Sequence, residues 1–272
     1  MNLKKVILKA LLILILIIYI CPIVWMYISA TRTTADFINA PLGIPSSISF
    51  DNFIKAYQMA KLGQHFIISI IITVISVLLV VVFGSLAAFS FSRLKFRGRN
   101  LLYASFFIGL ILPTQSFLVG MFVLFRLSGI LDTMLSVILP CAAIGLPIAI
   151  FLMKAFFDSI PSSLEESALI EGASVFYIFR YIILPIANAI IVTVIIFTTI
   201  NVWNEFMLPF VMIQTDRIKP LTTSLYVFST KHSSKLTLKL AALTVIATPM
   251  FFVYFIFQKQ IQKGVTAGAL KG

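Results

Sequence analysis

Charge is scarce in this chain. Of its 272 residues, 11% are Asp, Glu, Lys or Arg, where a soluble domain carries roughly a quarter. Hydrophobic residues make up 60%, and the mean hydropathy is +1.08. A surface that water can solvate is therefore missing, and most of the chain's solvent must be lipid. Histidine is rarer still: His65 and His232 stand far apart, which excludes a histidine-built metal centre or a His-dependent active site. The two cysteines, Cys21 and Cys141, both fall in apolar runs, so they form no disulfide framework and read as small apolar filler. There is no G-x-x-x-x-G-K-[ST] loop for ATP and no H-E-x-x-H. No nucleophile–base pair marks a membrane-embedded enzyme, and no catalytic residue is assigned. No ionisable residue sits mid-way along an apolar run. Ion-coupled transporters and proton pumps place such groups near the bilayer midplane, so this chain does not couple transport to an ion gradient by itself.

What remains is long apolar sequence. Six charge-free runs are long enough to cross a bilayer: Ala10–Thr31, Phe66–Ser92, Leu101–Phe125, Thr133–Met153, Tyr181–Asn204 and Leu240–Gln258. A helix needs about 20 residues for a hydrocarbon core of ~30 Å. The runs lack strand-like alternation, and a helix satisfies its own backbone in lipid. The expected fold is an all-α integral membrane protein with six transmembrane helices. Pro113, Pro140 and Pro147 read as kinks or helix ends. Lys4, Lys5 and Lys9 precede the first run as they would a signal peptide. That run is longer than a signal core and lacks a small-x-small exit, so it reads as a retained anchor. Three regions are expected: residues 1–65 as anchor and external loop, 66–258 as the transmembrane core, and 259–272 as a cytoplasmic tail.

The positive-inside rule sets the orientation. The segment RLKFRGRN, Arg93–Asn100, carries four positive charges and no acid. This places it, both termini and the segment Glu165–Pro185 in the cytoplasm. The net charge of +12 comes from residues flanking the spans, where they meet anionic lipid head groups; it does not signal nucleic acid.

The segment EESALIEGASVFYIFRYIILP, Glu165–Pro185, is the longest polar interruption between two apolar runs in the second half of the chain, and DSIPSSL, Asp158–Leu164, leads into it. Pro161 and Ser162 mark a helix start. Ser162 with Glu165, and Ser163 with Glu166, fit the capping box S-x-x-E. The helix is expected to run to Glu171, with Gly172 stopping it in a left-handed conformation. Leu164, Ala168 and Glu171 are spaced to share one face, and Ser167 and Ala168 would let another surface approach closely. From the residues alone, a docking helix and an ordinary connecting loop remain equally open.

The stretch resembles the EAA motif of ABC importer permeases. The pattern E-A-A, three residues, G, nine residues, I-x-L-P is met by Glu166-Ser167-Ala168, Gly172 and Ile182-Ile183-Leu184-Pro185. Ser167 replaces the usual Ala, and Glu171 stands where Asp is common. WNEFMLP, Trp203–Pro209, and the tail GVTAGALKG, Gly264–Gly272, are similar to the maltose-type carbohydrate-uptake branch. The likeness is clearest from about Ile111 onward.

The resemblance implies a non-catalytic permease of a bacterial-type plasma membrane. In such a protein the loop between helices 4 and 5 forms a coupling helix that docks in a cleft of a separate ATPase, Glu166 pairs with a basic residue there, and Gly172 permits the turn. It implies a dimer of ABC ATPase subunits holding ATP and Mg, a second homologous permease and an extracytoplasmic sugar-binding protein. This chain would then hold no cofactor or metal. The stretch Thr215–Leu236 would reach outward toward the binding protein, and the tail would lie between the ATPases.

Trp203, Asn204 and Glu205 lie near the outer end of the fifth run, where an aromatic face beside hydrogen-bonding groups suits a sugar. They equally suit an interfacial belt. Thr193, Thr198, Thr199 and Asn201 either line the pore or hydrogen-bond between helices. A permease for another solute and an ATPase-independent channel or scaffold are the alternatives.

Overall fold

The computed structural model describes residues 3–228 and 236–269, with side chains described from 4 to 260 within those ranges. Lys231, His232 and Lys235, part of the stretch Thr215–Leu236, and the end of the tail lie outside the described residues. Helices run α1 (Leu3–Ala30), α2 (Thr34–Asn39), α3 (Asp51–Met59), α4 (Leu62–Arg93), α5 (Arg99–Ile111), α6 (Leu118–Leu127), α7 (Leu135–Phe157), α8 (Ser163–Ile170), α9 (Val175–Tyr177), α10 (Leu184–Ile186), α11 (Asn188–Asn204), α12 (Met207–Met212), α13 (Leu221–Ser224) and α14 (Leu236–Ala269). No strand occurs among the described residues.

Four helices among the described residues are long and apolar enough to cross a membrane, in α1, α4, α7 and α14. The count reaches six when two bent pairs are each taken as one span. The run Leu101–Phe125, expected as one span with a kink or helix end at Pro113, is broken after Ile111. Leu112 is extended (φ −80°, ψ 128°) because the ring of Pro113 disfavours helical backbone in the residue before it. A 3₁₀ turn, Thr114–Phe117, then leads into α6, and the two arms are bent by 99°. The fifth run is likewise broken. Its lead-in α9 widens into a π-helical stretch, Ile178–Ile183, just before Pro185. Proline has no N–H to give and its ring crowds the carbonyl four residues back, so the turn ahead of it opens. Ala187 (φ −81°, ψ 5°) ends the segment, and α11 departs at 77°. Pro140 and Pro147, by contrast, sit buried inside an unbroken α7.

The chain forms two compact units. The first comprises residues 1–66 and 223–251. Apolar side chains of α1 from Val6 to Ile20 are exposed, as lipid contact requires. Beyond α1, Arg32 is 1% exposed and ties down the following loop. Its Nε donates to Asp36 Oδ2 at 2.8 Å, Nη2 to the Asp36 carbonyl at 2.9 Å and Nη1 to the Gly43 carbonyl at 3.0 Å. The Arg32 hydrogen bond outweighs desolvation and the Asp36 carboxyl titrates below the usual range.

The second unit comprises residues 67–222 and 252–272. Its main core joins α4 (Val80, Ala88, Phe89), α7 (Ala149, Met153, Phe157) and the π segment (Ile178, Phe179, Ile183). In lipid, apolar burial gives no drive between helices, so close packing must supply it. Small residues make that approach possible. A Cβ on Gly145 would stand 3.0 Å from Val80 Cγ2, and one on Gly84 would stand 3.2 Å from Ala149 Cβ. α4 and α7 therefore meet through two facing small-residue contacts. Phe89 and Phe179 close the core, with ring centroids 5.1 Å apart.

Candidate functional site

α8 stands between α7 and the π segment, where the sequence places its short helix. It is eight residues long and ends one residue before the expected Glu171, which is its C-cap. Gly172 has φ +83°, as expected for a left-handed stop. The Gly172 amide donates to the Leu169 carbonyl at 3.0 Å and the Ala173 amide to the Ala168 carbonyl at 2.9 Å. This pair of bonds is a Schellman motif, which satisfies carbonyls the helix end would otherwise orphan.

The start of α8 differs from expectation. Ser162 lies in helical backbone (φ −64°, ψ −23°) and its side chain caps nothing. An N-cap hydroxyl reaches the N2 or N3 amide from extended backbone, so neither capping box forms. The Glu165 carboxylate instead accepts from Arg93 Nε at 2.5 Å, and Arg93 Nη2 donates to the Ile160 carbonyl at 2.8 Å. Arg93 occupies the last turn of α4. Beside it, Asp158 accepts from Ser92 Oγ at 2.6 Å and from Lys154 Nζ at 2.7 Å. Burial raises the Asp158 carboxyl, but the Lys154 and Ser92 hydrogen bonds outweigh it and bring the group below its usual range.

The expected face of Leu164, Ala168 and Glu171 does not hold together. Ala168 and Glu165 are partly buried, and Ala168 packs with Ala173 on the core. The exposed side carries Glu166 and Ser167, with Leu169 and Ile170 at 52% and 87% exposure. Ser167 Oγ donates back to the Ser163 carbonyl at 2.9 Å. The exposed side of α8 thus carries the Glu166 carboxylate beside two apolar side chains, with Glu171 exposed just past the helix end. Sequence reading missed Leu169 and Ile170; their i+3 and i+4 spacing from Glu166 was the available signal. Leu184 is half-buried against the core and Pro185 is exposed at the turn into α11.

At the far end of α11 the chain breaks after Asn204. A cleft of about 250 Å³ opens there, lined by Thr114, Gln115, Asn204, Glu205 and apolar neighbours. Glu205 Oε1 accepts from the Leu208 amide at 3.0 Å, capping α12, and Asn204 Nδ2 donates to the Ile200 carbonyl at 2.8 Å. Trp203 is buried and Asn201 is exposed outside the cleft lining, so the structure brings together Asn204 and Glu205 of that group. Thr114 and Gln115, at the α5–α6 elbow, complete the cleft and were missed in sequence. Thr193 and Thr198 are buried, and Thr193 Oγ1 bonds back to the Ala189 carbonyl at 3.0 Å.

The family of binding-protein-dependent transport system inner membrane components matches residues 80–267. A diacetylchitobiose uptake system permease protein of Streptomyces coelicolor is 32% identical, over 96% of this chain and 87% of its own length. A trehalose transport system permease protein of Mycobacterium tuberculosis is 31% identical, over 92% of each chain. A trehalose/maltose transport system permease protein of Thermococcus litoralis is 31% identical, over 99% and 98%. Among solved structures, a bacterial ABC transporter involved in the import of the acidic polysaccharide alginate superposes with a TM-score of 0.81 at 21% identity, over 95% and 96% of the two chains.

Proposed function

The chain belongs to the family of binding-protein-dependent transport system inner membrane components, and from that premise we propose that it is the permease subunit of an ATP-driven importer for a sugar or oligosaccharide. It lies in a bacterial plasma membrane, multi-pass, with both termini cytoplasmic, and residues 66–258 form its transmembrane core. The chain itself performs no catalysis. A dimer of ABC ATPase subunits holds ATP and Mg, a second homologous permease completes the pore, and an extracytoplasmic binding protein delivers the sugar.

The observation that carries this reading is α8. A short helix, stopped by Gly172 and offering Glu166 between Leu169 and Ile170, stands inside the family match. α8 is the coupling helix: it seats in a groove of the ATPase, with Glu166 facing a basic group. Ser167 and Glu171 flank the contact, Ala168 holds α8 to the core, and Leu184 and Pro185 turn the chain into α11. When the ATPases close, the displacement of α8 tilts the spans. Sugar uptake is supported by the relatives named above. Asn204 and Glu205, with Thr114 and Gln115, offer hydrogen-bonding groups to hydroxyls in transit; Trp203 backs that wall from within and Asn201 lies along the route to it.

Affinity purification of the tagged chain from its native membrane, followed by mass spectrometry and uptake in proteoliposomes, tests this. Recovery of a P-loop ATPase, a second permease and a sugar-binding protein is expected. A chain recovered alone, or as a homo-oligomer, overturns the importer reading, and a binding protein loaded with a non-sugar solute overturns the substrate class.

A further inference from the structure

Arg93 ends one membrane helix and Glu165 lies in the first turn of the short helix α8, 72 positions further along the chain. Their ion pair is largely buried, with side-chain exposures of 16% and 12%. Most surface pairs contribute little because water screens them and two flexible side chains must be ordered. This pair differs in burial and in geometry. The guanidinium is planar and rigid, so its Nε and Nη2 reach two targets at a fixed angle. One is the Glu165 carboxylate in the first turn of α8, and the other is the Ile160 carbonyl just ahead of Pro161. Arg93 therefore grips both ends of the short connection that leads into α8. On its other side, small side chains, Ala168 of α8 and the following Ala173, pack against the core. Those contacts oppose approach but resist pulling and sliding weakly, since methyl groups are not directional. A two-pronged, charge-assisted bond resists displacement in both senses.

We infer that Arg93 is a positioning residue that transmits the displacement of α8 into α4, acting through the Glu165 carboxylate and the Ile160 carbonyl. The inference rests on the coupling-helix reading of α8. The neighbouring acid Glu166, on the exposed side, engages the ATPase; Glu165, on the inner side, holds the membrane helix. Consecutive carboxylates thus divide the work between outside and inside. Without the Arg93 link, α8 still docks and still presses on the π segment. α4 then follows it only through the apolar contact of Phe89 with Phe179 and the Ser92 bond to Asp158, and hydrolysis proceeds with a poorly matched movement of the spans.

The test uses the complete importer, purified from its native membrane and reconstituted with its binding protein and that protein's own sugar. Assembly is read as ATPase recovered per permease. Function is read as basal hydrolysis, sugar-stimulated hydrolysis and uptake. Arg93→Ala and Glu165→Ala are each expected to assemble normally and keep basal hydrolysis while stimulated hydrolysis and uptake fall about ten-fold, the scale of a lost hydrogen bond to a charged group. The double Ala variant should be no worse than either single, since the two residues act as one unit. Arg93→Lys, the mildest change, should fall by an intermediate amount because an ammonium cannot replicate the fork. The exchange Arg93→Glu with Glu165→Arg should recover uptake above either charge reversal alone. Wild-type uptake in Arg93→Ala, additive losses in the double variant, or failure of the exchange to exceed the single reversals would overturn the inference. If the unaltered chain carries no ATPase and takes up no sugar, the functional reading itself fails, which is a distinct result.

Discussion

Thr215 clasps Asp132 twice: its amide donates to Oδ1 at 2.8 Å and its hydroxyl to Oδ2 at 2.6 Å. The Gln214 amide adds a third bond at 2.8 Å, again to Oδ1. Asp132 holds this position at φ +60°, a backbone that Asp tolerates better than most residues. The chain leaving α12 is thereby pinned to the turn ahead of α7. The Thr215 hydroxyl and amide bonds favour the ionised carboxylate, outweigh its desolvation and lower its titration point. A lowered folded value stabilises the clasp at pH above the carboxylate's unfolded value of ~3.9 and loses it as pH falls through the folded one. At neutral pH the clasp is intact. Asp132→Asn keeps the backbone tolerance but removes the charge, and should weaken the local hold by about 1 kcal/mol after allowance for its exposure. Hydrogen exchange at residues 213–219 should accelerate in that variant at neutral pH, and in the parent chain only in strong acid.

If α8 docks as proposed, Glu166→Lys should release the ATPase from the permease, because it would set a positive charge against the basic group proposed to face it. Ile170→Asp should do likewise through the apolar half of the same face. Copurified ATPase per permease is the measurement, with a loss of about ten-fold expected for either change. Undiminished binding by both variants would place the docking face elsewhere on the chain.

Gly172 tests backbone conformation alone. An added Cβ would meet nothing within 4 Å, so any penalty comes from φ +83° and not from crowding. Gly172→Asn should be nearly neutral and Gly172→Ala should cost about 1 kcal/mol. Gly172→Val should cost more, since a branched side chain resists that region further. Thermal unfolding of the purified complex should rank the three in this order, and uptake should follow it.

Gly145 tests the opposite mechanism, steric fit at ordinary helical backbone. Gly145→Leu would drive α7 away from Val80 and should cost about 1–3 kcal/mol by overpacking. A lower melting temperature in detergent, without loss of the α8 face, is the expected result.

Gln115→Ala removes a cleft side chain without touching α8. The KM for uptake should rise several-fold at unchanged ATPase recovery, as expected when hydrogen bonds to a solute are lost. Glu205→Ala should instead lower stability along with uptake, because Glu205 also caps α12. An unaltered KM in Gln115→Ala would remove the cleft from the solute's path.

Composition made the membrane class legible: too few charges to cover a soluble surface, and apolar runs of spanning length. Gly172 was legible because few residues accept its backbone. The faces of α8 were not, because the Schellman turn folds Ala173 back over Ala168 and so chooses which side is buried. Arg93 and Glu165 gave no local sign of each other, since a pairing 72 residues apart depends on how α4 and α7 cross. Pro113 announced a break but not its angle. Asn204 and Glu205 could be nominated from a motif, whereas Thr114 and Gln115 reach the same cleft only because the chain turns at the elbow.

That elbow has a consequence for hydration. Each helix end leaves backbone carbonyls or amides without intrahelical partners, and hydrocarbon offers them nothing. With α5 and the following arm bent by 99°, the two together reach only about 26 Å end to end at ordinary helical rise. They turn at Leu112–Pro113, beside the hydroxyl of Thr114 and the amide of Gln115. A break of this kind inside a bilayer has to be buried in protein or wetted. Part of it is satisfied within the chain, since the Leu112 amide donates to the Ile108 carbonyl and the Ser116 amide to the Pro113 carbonyl, and the polar cleft beside it is where the remaining groups meet partners other than hydrocarbon.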